Sequence, residues 1–185
     1  SMGASTERHN ARYDLTRDAQ DQVAALSHQH AAAAQAAGVF DDEIVPVAVP
    51  QRRGEPVLVT ADEGIRPDTT VESLAGLRAA FADGGSITAG NSSQISDGAS
   101  AVVVTTRGTA EAKGWPVLVT VGASGQTAGP DNSLQAQPAR AIERACEKQG
   151  IAPADLDVVE INEAFGAVVA RSQVELGLSL SLIHI

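Results

Sequence analysis

The chain has one cysteine, Cys146, in 185 residues. That count leaves no internal disulfide and fits a reducing compartment. Aromatic residues make up only 3%, and 13 Lys and Arg face 23 Asp and Glu, a formal net charge of −10. Nucleic-acid binders need a basic field over the phosphates, usually with aromatic stacking platforms, so that class is excluded. The same charge disfavours an anionic membrane surface. No apolar run approaches the roughly 20 residues of a membrane-spanning helix. The first residues lack the apolar stretch of a secretory signal. Met2-Gly3 begins like an acylation signal, yet Glu7 stands where that pattern wants Ser or Thr. A soluble, cytoplasmic protein with no nucleic-acid or membrane partner is expected.

What the chain does have is small apolar residues. Hydrophobic residues reach 43%, enough for one ordinary domain and its core. Their bias to Ala and Val, with abundant Gly, suits closely packed layers of helix on sheet. Thr16 to Gly38 reads as one helix, with Thr16 as N-cap, Asp18 and Asp21 in the first turns and Gly38 as the stop. Glu43–Val49 and Pro56–Thr60 read as short strands around the turn at Arg52–Glu55. Asp62–Thr70 is irregular, and Thr70 caps a short helix reaching Leu77 and Arg78. Gly84–Asp97 is a loop by composition.

Beyond it, Ala99–Thr105, Pro116–Gly122 and Asp157–Ile161 read as buried strands. Pro138–Gly150 reads as a helix closed by Gly150. A last helix is expected to open at Asn162 and run to about Leu176. Strand alternating with helix in this half is α/β grammar with a mostly parallel sheet. A boundary near Asp97 follows from the change of pattern.

Few residues point to chemistry by themselves. His28 and His30, two apart on a helix, face different ways and cannot share a metal, so both are expected on the solvated face. No metal site is expected. Gly122–Gly125 (GASG) fails as a nucleophile elbow, because no Gly stands two places after Ser124. Cys146 lies mid-helix with no histidine close in sequence, a packing position and not that of a thiolate. Asn162 stands between a strand and a helix, at the edge where α/β proteins place ligands. Its amide either caps the helix or holds a water or an oxyanion. The loop Thr88–Ser93 is equally open, since turn chemistry alone explains Gly90 and Asn91.

Taken together and in order, the segments carry more. Met2-Gly3, Glu7, Arg17, Gln20-Asp21, EIVPV (Glu43–Val47), DEGIRP (Asp62–Pro67), LRAAF (Leu77–Phe81), TAGNSS (Thr88–Ser93), DGA (Asp97–Ala99) and NEAF (Asn162–Phe165) make the chain resemble the thiolases from its first residues to about Leu178. The resemblance implies a partial thiolase-like layered α/β fold. Residues 1–94 resemble part of the inserted loop domain that grips coenzyme A. Residues 95–107 resemble the last strand of the first half, and residues 108–178 the opening of the second half. The tail SLSLIHI, residues 179–185, has no family counterpart and reads as translation past a junction.

The implied chemistry is acyl transfer between acyl-CoA molecules, by Claisen condensation or thiolysis, through a cysteine nucleophile. By resemblance, Asn162 is the NEAF asparagine that fixes a water in an oxyanion hole. Arg66 and Ser73 match positions near the nucleotide end of coenzyme A, and Ser93 the serine that meets the pantetheine arm. Met2, Phe81, Ala164 and Phe165 match positions lining the tunnel for that arm. Coenzyme A or acyl-CoA enters as substrate, with no tightly bound cofactor, and the full-length parent is expected to be a homo-oligomer. Neither the nucleophilic cysteine nor the residues of the GHP and CxGGGxG motifs have counterparts here. The expectation is therefore a thiolase fragment, inactive by itself, with exposed strand edges. The alternative is a non-catalytic coenzyme A-binding or inert truncated polypeptide.

Overall fold

The computed structural model describes residues 1–184, so Ile185 of the expected non-family tail lies outside the described residues. Its central element is α2 (Arg17–Ala36). Thr16 takes extended backbone and its hydroxyl accepts from the Ala19 amide at 3.1 Å. That bond satisfies one of the free amides of the first turn. Gly38, at φ +73°, turns the chain out of the helix. Both ends lie where the sequence places them.

α2 packs on α6 (Gly166–Leu176), and α6 in turn packs on α5 (Gln137–Gln149). α5 is closed by Gly150 at φ +76°, as expected. Val168 and Val169 of α6 join Val23, Ile87, Ile161 and Phe165 in the main core. The approach of α6 to α2 depends on Gly166. A Cβ there would stand 2.6 Å from the Gln20 carbonyl oxygen, inside any real contact.

Around this core lie α1 (Met2–Asn10), α3 (Val71–Ala75) and α4 (Arg107–Lys113). α3 starts on a capping box in which the Thr70 and Ser73 side chains each accept from the other's backbone amide. It stops at Ala75, short of the expected Arg78. α1 and α4 were not expected, because each has few apolar residues at helical spacing. Their hydroxyl caps, Ser1 and Thr106, are the signals that were available.

β1 (Val47–Val49) and β2 (Val57–Val59) form an antiparallel hairpin within the two expected strands. β3 (Val159–Glu160) is the core of the expected Asp157–Ile161 strand. It pairs in parallel with β4 (Ile183–His184). Ile183 is buried and Leu180 and Leu182 pack against the same cluster, so the tail, expected to lie outside the family pattern, packs into the main core.

Two expectations fail. Ala99–Thr105 is not a buried strand and Pro116–Gly122 is not a strand. Both lack regular secondary structure and are exposed, with Val103 and Leu118 each 90% accessible. The pattern suits a central strand, but no described strand runs beside either segment to complete a ladder. The last helix also starts at Gly166 and not at Asn162, and the position before it is Phe165, with no side-chain cap. The helix-capping reading of Asn162 is thereby removed.

Besides the packing of α2 on α6, side chains and loops join residues 1–93 to the second half. Gln135 is fully buried and donates to the Thr6 carbonyl and to Asn10 Oδ1, both at 2.8 Å. Arg12 pairs with Asp131 at 2.5 Å, and Tyr13 meets the Ser133 hydroxyl at 3.2 Å. Loop Thr88–Ser93 is held harder still. Asn91 accepts from the Thr88 amide and donates to Asp21 Oδ1, both at 2.8 Å, and Asp21 is paired with Arg17 at 2.6 Å. Asn91 and Asp21 are both buried.

Truncating Asn91 to alanine would leave the Thr88 amide and one Asp21 oxygen without their partners among buried residues. We expect Asn91→Ala to lower unfolding free energy by about 3 kcal/mol, read from urea unfolding curves. A loss near zero would show that the network is not what holds this loop.

Candidate functional site

The pinned loop meets the NEAF turn as a short antiparallel ladder. The Ser93 amide donates to the Ala164 carbonyl at 3.1 Å, and the Gly166 amide donates to the Asn91 carbonyl at 2.9 Å. Ser92 and Phe165 form the bridge between them. This ladder fixes Ser93 relative to Asn162. Both line one cleft of about 620 Å3, together with Ser27, His28, Arg66 and Glu163. A wider, shallower hollow of about 790 Å3 adjoins it on the β1–β2 side and holds none of the candidate residues.

Three of the eight candidates thus come together at the cleft: Arg66, Ser93 and Asn162. Arg66 is exposed and makes no ion pair with any described residue. Asn162 is also exposed, and its amide makes no hydrogen bond to a described residue, which leaves it available to a water or ligand. The Ser93 hydroxyl donates to the Gln94 carbonyl at 3.1 Å.

The other five lie outside the cleft wall. Ser73 is engaged in the α3 capping box. Ala164 contributes its carbonyl to the ladder. Phe81 and buried Phe165 stack edge to face with centroids 6.3 Å apart, and Phe81 also lies against Gly3 beside exposed Met2. The two rings thus meet each other and do not line the cleft.

Three cleft residues were missed by the sequence reading: Ser27, His28 and Glu163. His28 is corrected from solvated to half-buried, while His30 is exposed as expected. The signal lay in helical spacing, since Ala24, Ser27, His28 and Ala31 share one face of α2. His28 Nδ1 accepts from the Arg66 backbone amide at 3.2 Å. Burial, and then the Arg66 charge, hold the His28 imidazole below its ordinary pKa.

Glu163 Oε2 accepts from the Ser27 hydroxyl at 2.7 Å, while Oε1 is buried with no partner. Burial raises the Glu163 pKa, the Ser27 bond lowers it in part, and the Glu160 charge raises it further. Glu7 resolves the opposite way. Burial raises it, but donors from the Ser86 and Ile87 amides and the Ser86 hydroxyl bring it below the usual carboxylate value. Glu7 stays ionised and holds the start of the TAGNSS loop.

Cys146 is buried on α5 and does not line the cleft. Gly125 of GASG crosses α5 so closely that a Cβ would stand 1.9 Å from the Ala141 carbonyl oxygen, a packing role. Among the described residues there is no cluster of metal-ligating side chains and no helix long and apolar enough to cross a membrane.

Comparison with known proteins bears on the whole arrangement. A family model described as the thiolase N-terminal domain matches residues 1–108, and one described as the thiolase C-terminal domain matches residues 115–185. The probable acetyl-CoA acetyltransferase of Mycolicibacterium smegmatis is 53% identical over 184 residues, covering 100% of this chain and 47% of that protein. The acetyl-CoA acetyltransferase of Allochromatium vinosum is 43% identical, with 100% and 47% covered. The crystal structure of the Bacillus anthracis acetyl-CoA acetyltransferase superposes with a TM-score of 0.92 at 37% identity, covering 99% of this chain and 46% of that one. Human mitochondrial 3-ketoacyl-CoA thiolase gives 0.86 at 32% identity, covering 98% and 45%. The chain spans about half the length of the curated relatives it matches. With both domain models matched in order along its length, the chain belongs to the thiolase family.

Proposed function

We propose that this chain supplies the coenzyme A cleft and the oxyanion-side asparagine of an acyl-CoA acyltransferase of the acetyl-CoA acetyltransferase type. The observation that carries this reading is the shared cleft of Arg66, Ser93 and Asn162. Arg66, with no carboxylate partner among the described residues, offers a local positive charge to a polyanionic carrier on an otherwise acidic protein. The Ser93 hydroxyl, on the same cleft wall, would meet the pantetheine arm. Attack on a thioester, and formation of its enolate, both build negative charge on oxygen, so the site needs donors already in place. The unbonded Asn162 amide is such a donor, acting through a water.

The covalent step needs a thiolate. The chain's one cysteine is buried away from the cleft. The burial of Cys146 favours a second reading at the level of this polypeptide: it binds coenzyme A without turning it over.

Isothermal titration of the purified chain with coenzyme A tests the proposal. Binding is expected to weaken about tenfold in Arg66→Ala, as expected for losing one charge-assisted contact, and to fall with salt. Asn162→Ala should bind coenzyme A as the parent chain does. No thiolysis of acetoacetyl-CoA is expected, and turnover that survives Cys146→Ser would overturn this division of labour. Absence of coenzyme A binding would end the cleft assignment.

Glu163 makes a separate prediction. Its folded pKa lies above the unfolded value, so the protonated form stabilises the fold below the unfolded pKa. That contribution is lost as pH rises through the folded pKa. Glu163→Gln keeps the shape and removes the titration. We expect the wild-type Tm to fall with rising pH above about 4.5 more steeply than that of the variant. Parallel Tm profiles would mean that Glu163 is ionised in the fold at no cost.

A further inference from the structure

The cleft holds one group with a fixed protonation pattern that the function above does not use. His28 presents its ring to the cleft beside Arg66. Nδ1 is occupied by the proton of the Arg66 amide at 3.2 Å, so the neutral ring carries its own proton on Nε2. Adding a second proton at Nδ1 would set two donors against each other and break the bond that ties the Arg66 backbone to α2.

We propose that His28 is a phosphate-binding residue of the cleft, acting as a neutral donor through Nε2–H, with Arg66 supplying the charge. This rests on the coenzyme A reading for the identity of the ligand, but the recognised chemistry is a phosphate oxygen. A neutral donor is the form the surroundings favour. Burial and the Arg66 guanidinium both oppose an imidazolium. The other charged groups on the cleft wall are the carboxyls of Asp62, from the Arg66 loop, and Glu163, from the NEAF turn. Glu163 is itself pushed toward its neutral form. The arrangement also ties two recognition elements together. The side chain that donates to the ligand is the one that fixes the backbone of the cation next to it.

The test uses the full chain and two probes, inorganic pyrophosphate and coenzyme A. Nitrogen-15 spectra of the His28 ring are expected to show the Nε2–H neutral tautomer at pH 6.5–7.5, both free and with either probe bound. His28→Phe is expected to weaken both probes about tenfold. His28→Gln retains an acceptor for the Arg66 amide and a donor for phosphate, and should recover most of that loss. The proposal is overturned if the ring becomes doubly protonated on binding, if His28→Phe binds both probes as tightly as the parent, or if neither probe binds. Pyrophosphate binding with the expected His28 behaviour, without coenzyme A binding, would sink the coenzyme A reading and leave this one standing. The ring spectra come from the unaltered chain, so they decide the matter even if a variant fails to fold.

Discussion

The arrangement depends on two backbone hydrogen bonds between the TAGNSS loop and the NEAF turn. Segments more than 70 residues apart in sequence meet there as a short ladder. Backbone bonds set position independently of side-chain rotamers. Whatever faces outward from the ladder, Ser93 on one side and Asn162 on the other, inherits a fixed relative placement. The ladder is in turn anchored from below. Asn91 is bonded to Asp21 of α2, Glu7 of α1 holds the loop start, and Gly166 lets α6 lie directly on the α2 backbone. Because α2 also contributes Ser27 and His28, one helix both supports the ladder and builds the opposite wall of the cleft.

Much of this was legible where a local rule applied. Thr16 and Gly38 bound α2, Gly150 closes α5, and the Thr70 cap starts α3, each through a bond that needs no distant partner. The pairing of Ser93 with Asn162 was legible only through the family resemblance of two motifs, because composition assigns each to an unremarkable loop. His28 and Glu163 were missed for a physical reason. Their character comes from burial against residues of other segments, Arg66 in one case and Ser27 in the other. Met2, Phe81 and Phe165 show the reverse. The resemblance places them along a tunnel, and the ring contacts present are those of Phe81 with Phe165 and with Gly3.

Residues 99–105 and 116–122 carry the composition of buried strands and meet solvent instead. Strand propensity records fitness for a half-buried pleated surface, and it cannot create the neighbour that completes the surface. β3 shows the contrast, since it forms where Ile183 arrives beside Val159. The same dependence on neighbours explains why the helices here are more legible than the strands: a helix satisfies its backbone internally.

The contacts that bind the two ends of the chain to each other have a mechanical consequence. Gln135 on Thr6 and Asn10, Arg12 on Asp131, Ser27 on Glu163 and the backbone ladder all join residues 1–93 to residues beyond 130 without using the stretch between. That stretch is an exposed tether as far as residue 106. A protease nick beyond Gln94, the one residue of that stretch on the cleft wall, would cut the polypeptide while the two pieces stayed clasped, and the cleft would survive the cut.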